Sequence, residues 1–340
     1  MEERAYSHEC QYLGSEMAMS VSVIIPTVNR PAVRAAVMSA LNQTSPPLEI
    51  LVVVDNPDRS LPAVLDNVPD KVRLLYTGGI GASGARMLGV AEARGEVVAF
   101  LDDDDVWLPE KLERQLALAP AEPEGRSHFL LSCSVATVDH SGRMTRTWPS
   151  RIFDGHENVS SYLFRRSTLA YGEGILHPSA LLCDRALIDV EPWDSAVTRH
   201  EDWDWLLRVG QRSDVAIRMC PDVLVKIAIG GQSMSASWRL SLEWLQHRAG
   251  QLTPRERGDF LLCHTATSAV RARSRRGGLI AAQEALRCGR PGLKAWLVWA
   301  SHMLSPTIVD RATLLKGKLM RSNLSTIEHY HRTETERSVA

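Results

Sequence analysis

Apolar runs alternate with helically spaced segments over the first hundred residues of the chain. Four short runs predict strands at 21–27, 48–56, 71–77 and 96–105. The second run, "LEILVVV", is almost continuously apolar, which is typical of a strand buried on both faces. Residues 31–44 and 83–94 place apolar side chains at helical spacing between these runs. This alternation predicts an α/β fold with a mainly parallel sheet flanked by helices and a ligand site at the carboxyl ends of its strands.

The pattern loosens after residue 106. Helices are predicted at 109–119, beginning at Pro109, and at 200–211, and strands at 128–138, 177–184 and 222–229. From residue 238 to 325 the spacing is mostly helical, with breaks expected near Pro254, Gly277–Gly278, Pro291–Gly292 and Pro306. The small-residue loop at 230–237 is either a mobile lid or a linker. We expect residues 1–19 to be a loose leader and 326–340 a polar tail.

Composition excludes several classes of protein. The net charge of −1 gives no overall field that would attract nucleic acid, so no nucleic-acid partner is expected. The six cysteines form no C-x-x-C pair, which indicates reduced thiols in a cytoplasmic protein rather than a zinc site or a disulfide framework. The N-terminus lacks the apolar core of a signal peptide. No apolar run approaches the roughly 20 residues of a membrane span.

The glycine pattern at 79–84 raises one alternative. Gly79, Gly81 and Gly84 spell G-x-G-x-x-G after an apolar run, with Asp102 at the end of the next one, as in sites that bind a dinucleotide. The chain could on this basis be an NAD(P)-dependent oxidoreductase. Such a fingerprint normally follows the first strand, however, whereas two strands and a helix precede it here. It also leaves the acidic residues described below without a role.

"FLDDDDVWLP" carries the strongest chemical signal. Four consecutive carboxylates at the end of a buried strand repel one another unless a cation or strong donors neutralise them. Converging carboxylates suit Mg²⁺ or Mn²⁺, and these cations also bridge phosphate oxygens. The alternative is an acidic turn that caps the helix expected at Pro109, but capping requires only one aspartate.

Four further sites have a functional and a structural interpretation each. In "HEDWDWLLR", Asp202 could be a general base, or the acids could only stabilise a helix N-terminus. Asp55 could accept from a base or a ribose, or form an Asx turn. Arg86 could meet a phosphate or a base, or be a solvated helix residue. His177 could line an acceptor site, although a structural histidine is the simpler interpretation.

Taken together, four blocks of the sequence resemble the family-2 glycosyltransferases, which use nucleotide sugars and have the GT-A fold. The blocks are "VSVIIPTVNRP", "LEILVVVDNPD", "GASGARMLGVAEARGEVVAFLDDDDVWLPEKL" and "HEDWDWLLRV". They occur in the family's order. The resemblance implies a GT-A domain over 20–235, with a nucleotide-binding half at 20–105 and an acceptor half at 106–235, followed by a helical region at 236–325. A catalytically silent sugar-nucleotide-binding protein is a further alternative, and so is a nucleotidyltransferase.

The resemblance also implies roles for individual residues. It assigns the nucleotide-sugar pocket to Pro26, Thr27, Asn29, Arg30, Asp55, Arg86, Asp102 and Asp103, the Mn²⁺ or Mg²⁺ site to Asp104 and Asp102, and the catalytic base to Asp202 with Glu201 beside it. The implied reaction is inverting, metal-assisted transfer from a UDP-, GDP- or dTDP-linked sugar to an acceptor hydroxyl in polysaccharide, glycolipid or glycoconjugate biosynthesis.

The sequence departs from the family at several points. Met87 follows the arginine where an asparagine is common, and "DNPDRS" replaces Asp-Asp-Gly-Ser after the second strand. The Q-x-x-R-W sequence and the membrane spans of processive synthases are missing, which favours addition of a single sugar. "RARSRRGG" (271–278) and the segment around Trp296 and Trp299 leave two readings open: peripheral contact with the inner face of a membrane carrying a lipid-linked acceptor, or a solvated basic helix beside a core helix. A homodimer is also open.

Overall fold

The structure, a computed structural model, describes most of the chain between residues 19 and 304. The described residues are 19–57, 65, 68–120, 126–139, 143–169, 172–228 and 237–304. The leader predicted at 1–19 lies outside them except for its last residue. Most of the loop at 230–237, the break near Pro306 and the polar tail also lie outside.

A single mixed sheet forms the centre of the described residues. Its strands are β1 (Val21–Thr27), β2 (Glu49–Val54), β3 (Val72–Tyr76), β4 (Val97–Phe100), β5 (Val106–Trp107), β6 (His128–Val138), β7 (Met144–Trp148), β8 (Leu182–Asp184) and β9 (Val215–Ala228). The strand order is β3-β2-β1-β4-β8-β6-β9-β5, and β7 pairs with β6. The first four strands are parallel, as expected. The second half departs from a mainly parallel sheet, because β8 runs antiparallel to both β4 and β6.

Helices cover both faces of this sheet. They are α1 (Val33–Leu41), α2 (Gly81–Glu92), α3 (Lys111–Leu116), α4 (Val159–Phe164), α5 (Arg185–Val190), α6 (Glu201–Gly210), α7 (Trp238–Arg248), α8 (Pro254–Phe260), α9 (Ala266–Arg271), α10 (Arg275–Cys288) and α11 (Leu293–Leu304). Adjacent residues of β1 enter opposite cores. Ile24 packs with residues of α2 and α6, and Ile25 packs with residues of α1. Both faces are therefore buried, which explains the continuous apolar runs.

Several predicted boundaries are wrong. The strand predicted at 177–184 is reduced to β8, because a 3-10 helix occupies Pro178–Ala180. The helix predicted from Pro109 begins at Lys111. The break expected near Gly277–Gly278 falls earlier, at 272–274 between α9 and α10, and both glycines lie inside α10. A Cβ atom on Gly277 would lie 2.7 Å from Cε2 of Trp238, so this glycine allows close packing of α10 on the indole ring.

The helices after β9 pack against α4 and α6 through an aromatic cluster. We define this aromatic cluster as Phe164, His200, Trp203, Trp244, Phe260 and His264. The His200 ring stacks on Trp203 with centroids 4.4 Å apart, and Phe164 meets Trp203 and Phe260 edge to face at 5.3 Å. The cluster joins α4, α6, α7 and α8. Within the described residues, no helix combines the length and the apolar character that crossing a membrane requires.

Candidate active site

The carboxyl ends of the four parallel strands bring several predicted residues to one edge of the sheet. Pairing of Thr27 with Val54 and of Ile24 with Phe100 aligns these ends. Thr27 ends β1, Asp55 follows β2 directly, and Asp102 lies two residues beyond the end of β4. This is the edge at which open α/β sheets bind their ligands.

The Asp55 carboxylate organises the glycine turn. It accepts hydrogen bonds from the backbone N–H groups of Ile80 at 2.7 Å and Gly81 at 2.9 Å, and from the Thr77 hydroxyl. Gly79 and Gly81 both have φ of +85°, a conformation that favours glycine. The turn that enters α2 thus faces a carboxylate of the protein itself. A dinucleotide pyrophosphate placed there would meet a negative charge, so the glycines have a structural explanation.

Asp103 and Asp104 are held by residues from the end of β1. The Thr27 hydroxyl donates to Asp103 at 2.6 Å, and one nitrogen of the Arg30 guanidinium reaches Asp103 at 2.9 Å and Asp104 at 3.2 Å. Burial raises the pKa of Asp103, and the neighbouring carboxylates add to that effect. Asn29, at φ of +69°, donates its backbone N–H to the Thr27 hydroxyl, while Pro26 lies within β1.

Arg86 connects the aspartate run to the acids of α6. Its guanidinium donates to Asp102 at 2.8 Å, lies 3.9 Å from a Glu201 oxygen, and rests over the Trp193 ring. Burial alone would raise the pKa of Asp102, but the Arg86 charge holds it below its usual range. Arg86 is 3% exposed, so it is not a solvated residue. Its Nε and Nη1 atoms are buried and have no hydrogen-bond partner among the described residues.

Asp105 contributes to a second group of potential ligand atoms. It accepts a hydrogen bond of 2.5 Å from the Ser179 hydroxyl and lies 3.6 Å from Nδ1 of His177. One atom each of Asp102, Asp105 and His177 lie within 4.8 Å of one another. Two carboxylates and an imidazole are donors that suit Mn²⁺ and are compatible with Mg²⁺. The donor set therefore fits a divalent cation, and it includes Asp102 but not Asp104 of the predicted pair.

Asp202 lies in the first turn of α6 at the rim of the same site. His200, the residue immediately before α6, adopts φ of +59°, and its Nε2 lies 2.8 Å from the Ser241 hydroxyl. Burial, and then the adjacent Glu201 charge, raise the pKa of Asp202 to about 6. Asp204 instead pairs with Arg208 at 3.1 Å and with Arg248, so it has the structural role that the sequence offered as an alternative.

Sequence reasoning missed some of these residues. Ser179 and Trp193 lie in segments with no local motif, and they meet the site only through the sheet pairing of β8 with β4 and the packing of α6. His177 was interpreted as structural, although it heads the 3-10 helix that supplies Ser179. The Asp105 side chain was part of the aspartate run, but no signal in the sequence separated it from its neighbours.

Known proteins with similar sequences are named as glycosyltransferases. The model of the family described as "Glycosyl transferase family 2" matches residues 22–190. The amylovoran biosynthesis glycosyltransferase AmsB of Erwinia amylovora is 25% identical over 249 residues, which cover 70% of this chain and 80% of AmsB. The Escherichia coli protein WfgD, named as a UDP-Glc:alpha-D-GlcNAc-diphosphoundecaprenol beta-1,3-glucosyltransferase, is 37% identical over 101 residues, 29% of this chain and 40% of WfgD.

Solved structures show the same fold. S. aureus TarS 1-349, crystallised in complex with UDP-GlcNAc, superimposes with a TM-score of 0.51 at 16% sequence identity. The match covers 84% of this chain and 91% of the TarS chain. At this identity the likeness extends to the fold alone.

Proposed function

This chain belongs to glycosyltransferase family 2, it is a transferase enzyme with the GT-A fold, and we propose that it performs inverting transfer of one sugar from a nucleoside diphosphate to an acceptor hydroxyl. The observation that carries the proposal is the position of Arg86, within reach of both Asp102 and Glu201. It places the aspartates of the donor half beside the acids that begin α6. A donor and an acceptor can thus meet between two groups of carboxylates.

The donor site occupies the carboxyl ends of β1–β4. The guanidinium of Arg86 carries a positive charge beside Asp102, which supports a contact with a diphosphate oxygen. Arg30 lies at the opposite side of the aspartate run from Arg86, where it pairs with Asp103 and Asp104. A bound nucleotide would compete with these two carboxylates for its guanidinium. Because TarS was crystallised with UDP-GlcNAc and WfgD is named for UDP-Glc, uridine is the first base to test, with GDP and dTDP as alternatives.

The proposed cation is Mn²⁺ or Mg²⁺. Asp102, Asp105 and His177 would hold it, with Asp104 as the further ligand that the sequence predicts. When bound, the cation would neutralise the charge that develops on the leaving diphosphate. The surrounding residues act independently of it: Ser179 and Arg86 orient the carboxylates of Asp105 and Asp102 by hydrogen bonds.

Asp202 is proposed as the general base. Its carboxylate would accept the proton from the acceptor hydroxyl as that oxygen attacks the anomeric carbon. A pKa of about 6 supports this role, because the group is then ionised near neutral pH and still basic enough to accept a proton. Attack from the side of α6, away from a diphosphate held at the ends of β1–β4, would invert the anomeric configuration.

A ligand panel tests the proposal and separates it from the alternatives. The full chain would be titrated with UDP, GDP, dTDP and NADH by calorimetry, each with and without Mn²⁺. Binding of one nucleoside diphosphate that strengthens with Mn²⁺, followed by turnover of its sugar conjugate, is the expected result. Metal-independent binding of NADH alone would overturn the proposal. Tight nucleotide-sugar binding with neither transfer nor hydrolysis would favour the silent binding protein.

A further inference from the structure

Helix α11 exposes leucines on the face that points away from the protein. Leu293, Leu297 and Leu304 are 75%, 49% and 82% exposed. Since a helix turns by about 100° per residue, spacings of four and seven place all three on one stripe. Ala295 and Val298 form the buried stripe on the other side. A helix that is apolar on both sides is normally covered on both sides.

Helix α10 extends this exposed apolar surface. The Trp299 indole donates to the Gly278 carbonyl at 3.0 Å, so the Gly278 side of α10 meets α11. Leu279 is the next residue of α10 after Gly278. Leu286, seven residues later, lies on the same side of α10, and the two leucines are 55% and 68% exposed. We define the leucine face as Leu279, Leu286, Leu293, Leu297 and Leu304.

The segment of the chain that carries the leucine face is basic. Residues 266–304 contain six arginines and one lysine against one glutamate, a formal charge of +6. The whole chain has a formal charge of −1, so all remaining residues together carry −7. Arg275, Arg276, Arg287 and Arg290 are exposed on α10 and the turn that follows it. An otherwise acidic protein therefore concentrates its basic charge where its leucines are exposed.

We propose that the leucine face docks on the surface of an anionic lipid bilayer. Exposed leucines would enter the boundary between headgroups and acyl chains, while the arginines would meet lipid phosphates. Trp296, partly exposed on α11, has the amphipathic ring that suits this depth. An anionic bilayer thus matches both the positive charge and the exposed apolar surface.

Other occupants are less compatible with the charge. A second copy placed symmetrically would set one segment of charge +6 against another, and like charges across an interface oppose association. Residues 305–340 contain six basic and four acidic residues, a charge of +2, and so give no opposite charge either. Nucleic acid would pair with the arginines but would leave the leucines without an apolar partner.

Vesicle sedimentation tests the proposal with the full chain and does not depend on transferase activity. The protein would be mixed with phosphatidylcholine vesicles, or with vesicles in which about a third of the lipid is phosphatidylglycerol. We expect sedimentation with the anionic vesicles at low salt, and at least about tenfold weaker partitioning to the neutral ones. Equal partitioning to both, or none to either, would overturn the proposal. In the latter case light scattering would show whether a second copy covers the face.

Matched variants assign the binding to this surface. Leu293→Gln with Leu297→Gln removes apolar contact, and Arg275→Glu with Arg276→Glu reverses charge at a helix N-terminus, where acids are tolerated. Each pair should lower partitioning to anionic vesicles at least about tenfold. The control, Leu48→Gln with Met144→Gln, changes two side chains of similar exposure on other elements, 50% and 45%. A control that loses as much binding would overturn the assignment.

Discussion

Asp202 is the residue on which the proposed chemistry depends most directly. Asp202→Asn keeps the shape of the side chain but removes its ability to accept a proton. We expect transfer to fall by about 10² to 10⁴ while the dissociation constant of the nucleotide stays within about threefold. Steady-state kinetics and calorimetry on the same preparation measure both. Asp189→Asn, an exposed change at the end of α5, is the matched control, and near-normal turnover by the Asp202 variant would contradict the role.

The pKa of Asp202 gives a second test at this scale. The base must be ionised, so kcat/KM should rise with pH through about 6 and then level off. Because the charge of Glu201 helps to raise this pKa, Glu201→Gln should move the acidic limb to lower pH. Glu243→Gln, on the exposed side of α7, should leave the limb in place. A limb that does not move in the Glu201 variant would show that another group titrates.

Lys111 affects stability rather than catalysis. It is fully buried with its ammonium over the Trp107 ring, and burial lowers its pKa to about 7 from an ordinary value of 10.5. Between pH 7 and 10.5 the unfolded chain binds more protons than the folded one, so stability rises with pH in this window. Lys111→Met should therefore stabilise the protein by roughly 2–4 kcal/mol at pH 7, and the gain should shrink towards pH 10.

Urea unfolding at several pH values measures this difference. A gain that does not depend on pH would mean that Lys111 keeps its ordinary pKa and its charge in the native protein.

At the scale of single residues, only some features of the site were predictable from the sequence. The types of residue were predictable, because carboxylates at strand ends and at a helix start are local patterns. Their partners were not. Asp102 pairs with Arg86 and Asp105 with Ser179, contacts that arise only when α2 and the 3-10 helix are folded against the end of β4. The sequence could not therefore distinguish which of four adjacent aspartates faces a cation.

At the scale of elements, prediction succeeded where burial is uniform. Strands β1 and β6 match the predicted spans, because each run is apolar and long enough to fill a strand. Strand β7 was missed because its residues are half-exposed and polar. The six-residue helices α4 and α5 are too short to show helical periodicity. The break between α9 and α10 lies a few residues before Gly277 and Gly278, the position that the sequence predicts, since local propensity contains no information about close packing between helices.

The corrected position of these glycines gives a prediction for α10. Gly277→Ala would add a methyl group 2.7 Å from the Trp238 ring and 2.9 Å from Cβ of Ala269. We expect the free energy of unfolding to fall by about 1–3 kcal/mol from overpacking. Gly250→Ala is the control, because nothing lies within 4 Å of its added carbon, and it should change stability by less than about 0.5 kcal/mol. Equal effects in urea unfolding would contradict close packing at Gly277.

At the scale of the whole molecule, the aromatic cluster packs the C-terminal helices against α6, the helix that carries the proposed base. Trp203 is next to Asp202, and its ring centroid lies 6.4 Å from that of Trp244 and 5.9 Å from that of Phe260. A chain that ends at residue 228 would expose Trp203 and Phe164 to water. We expect this shortened protein to aggregate and to lose transfer, which light scattering and activity assays would detect. A soluble, monomeric and active product would show that the helices are dispensable.

The position of α6 in the sequence has a consequence for recombination between related enzymes. The family match ends at residue 190, whereas Asp202 and the helices that support it follow. Recombination at this junction would give the descendant new nucleotide-binding strands but an inherited base. At the site itself Arg86 links the two parts, because it contacts Asp102 in the first part and approaches Glu201 in the second. Chimaeras that preserve this arginine and this glutamate should therefore be the ones that acquire a new donor sugar without losing their acceptor.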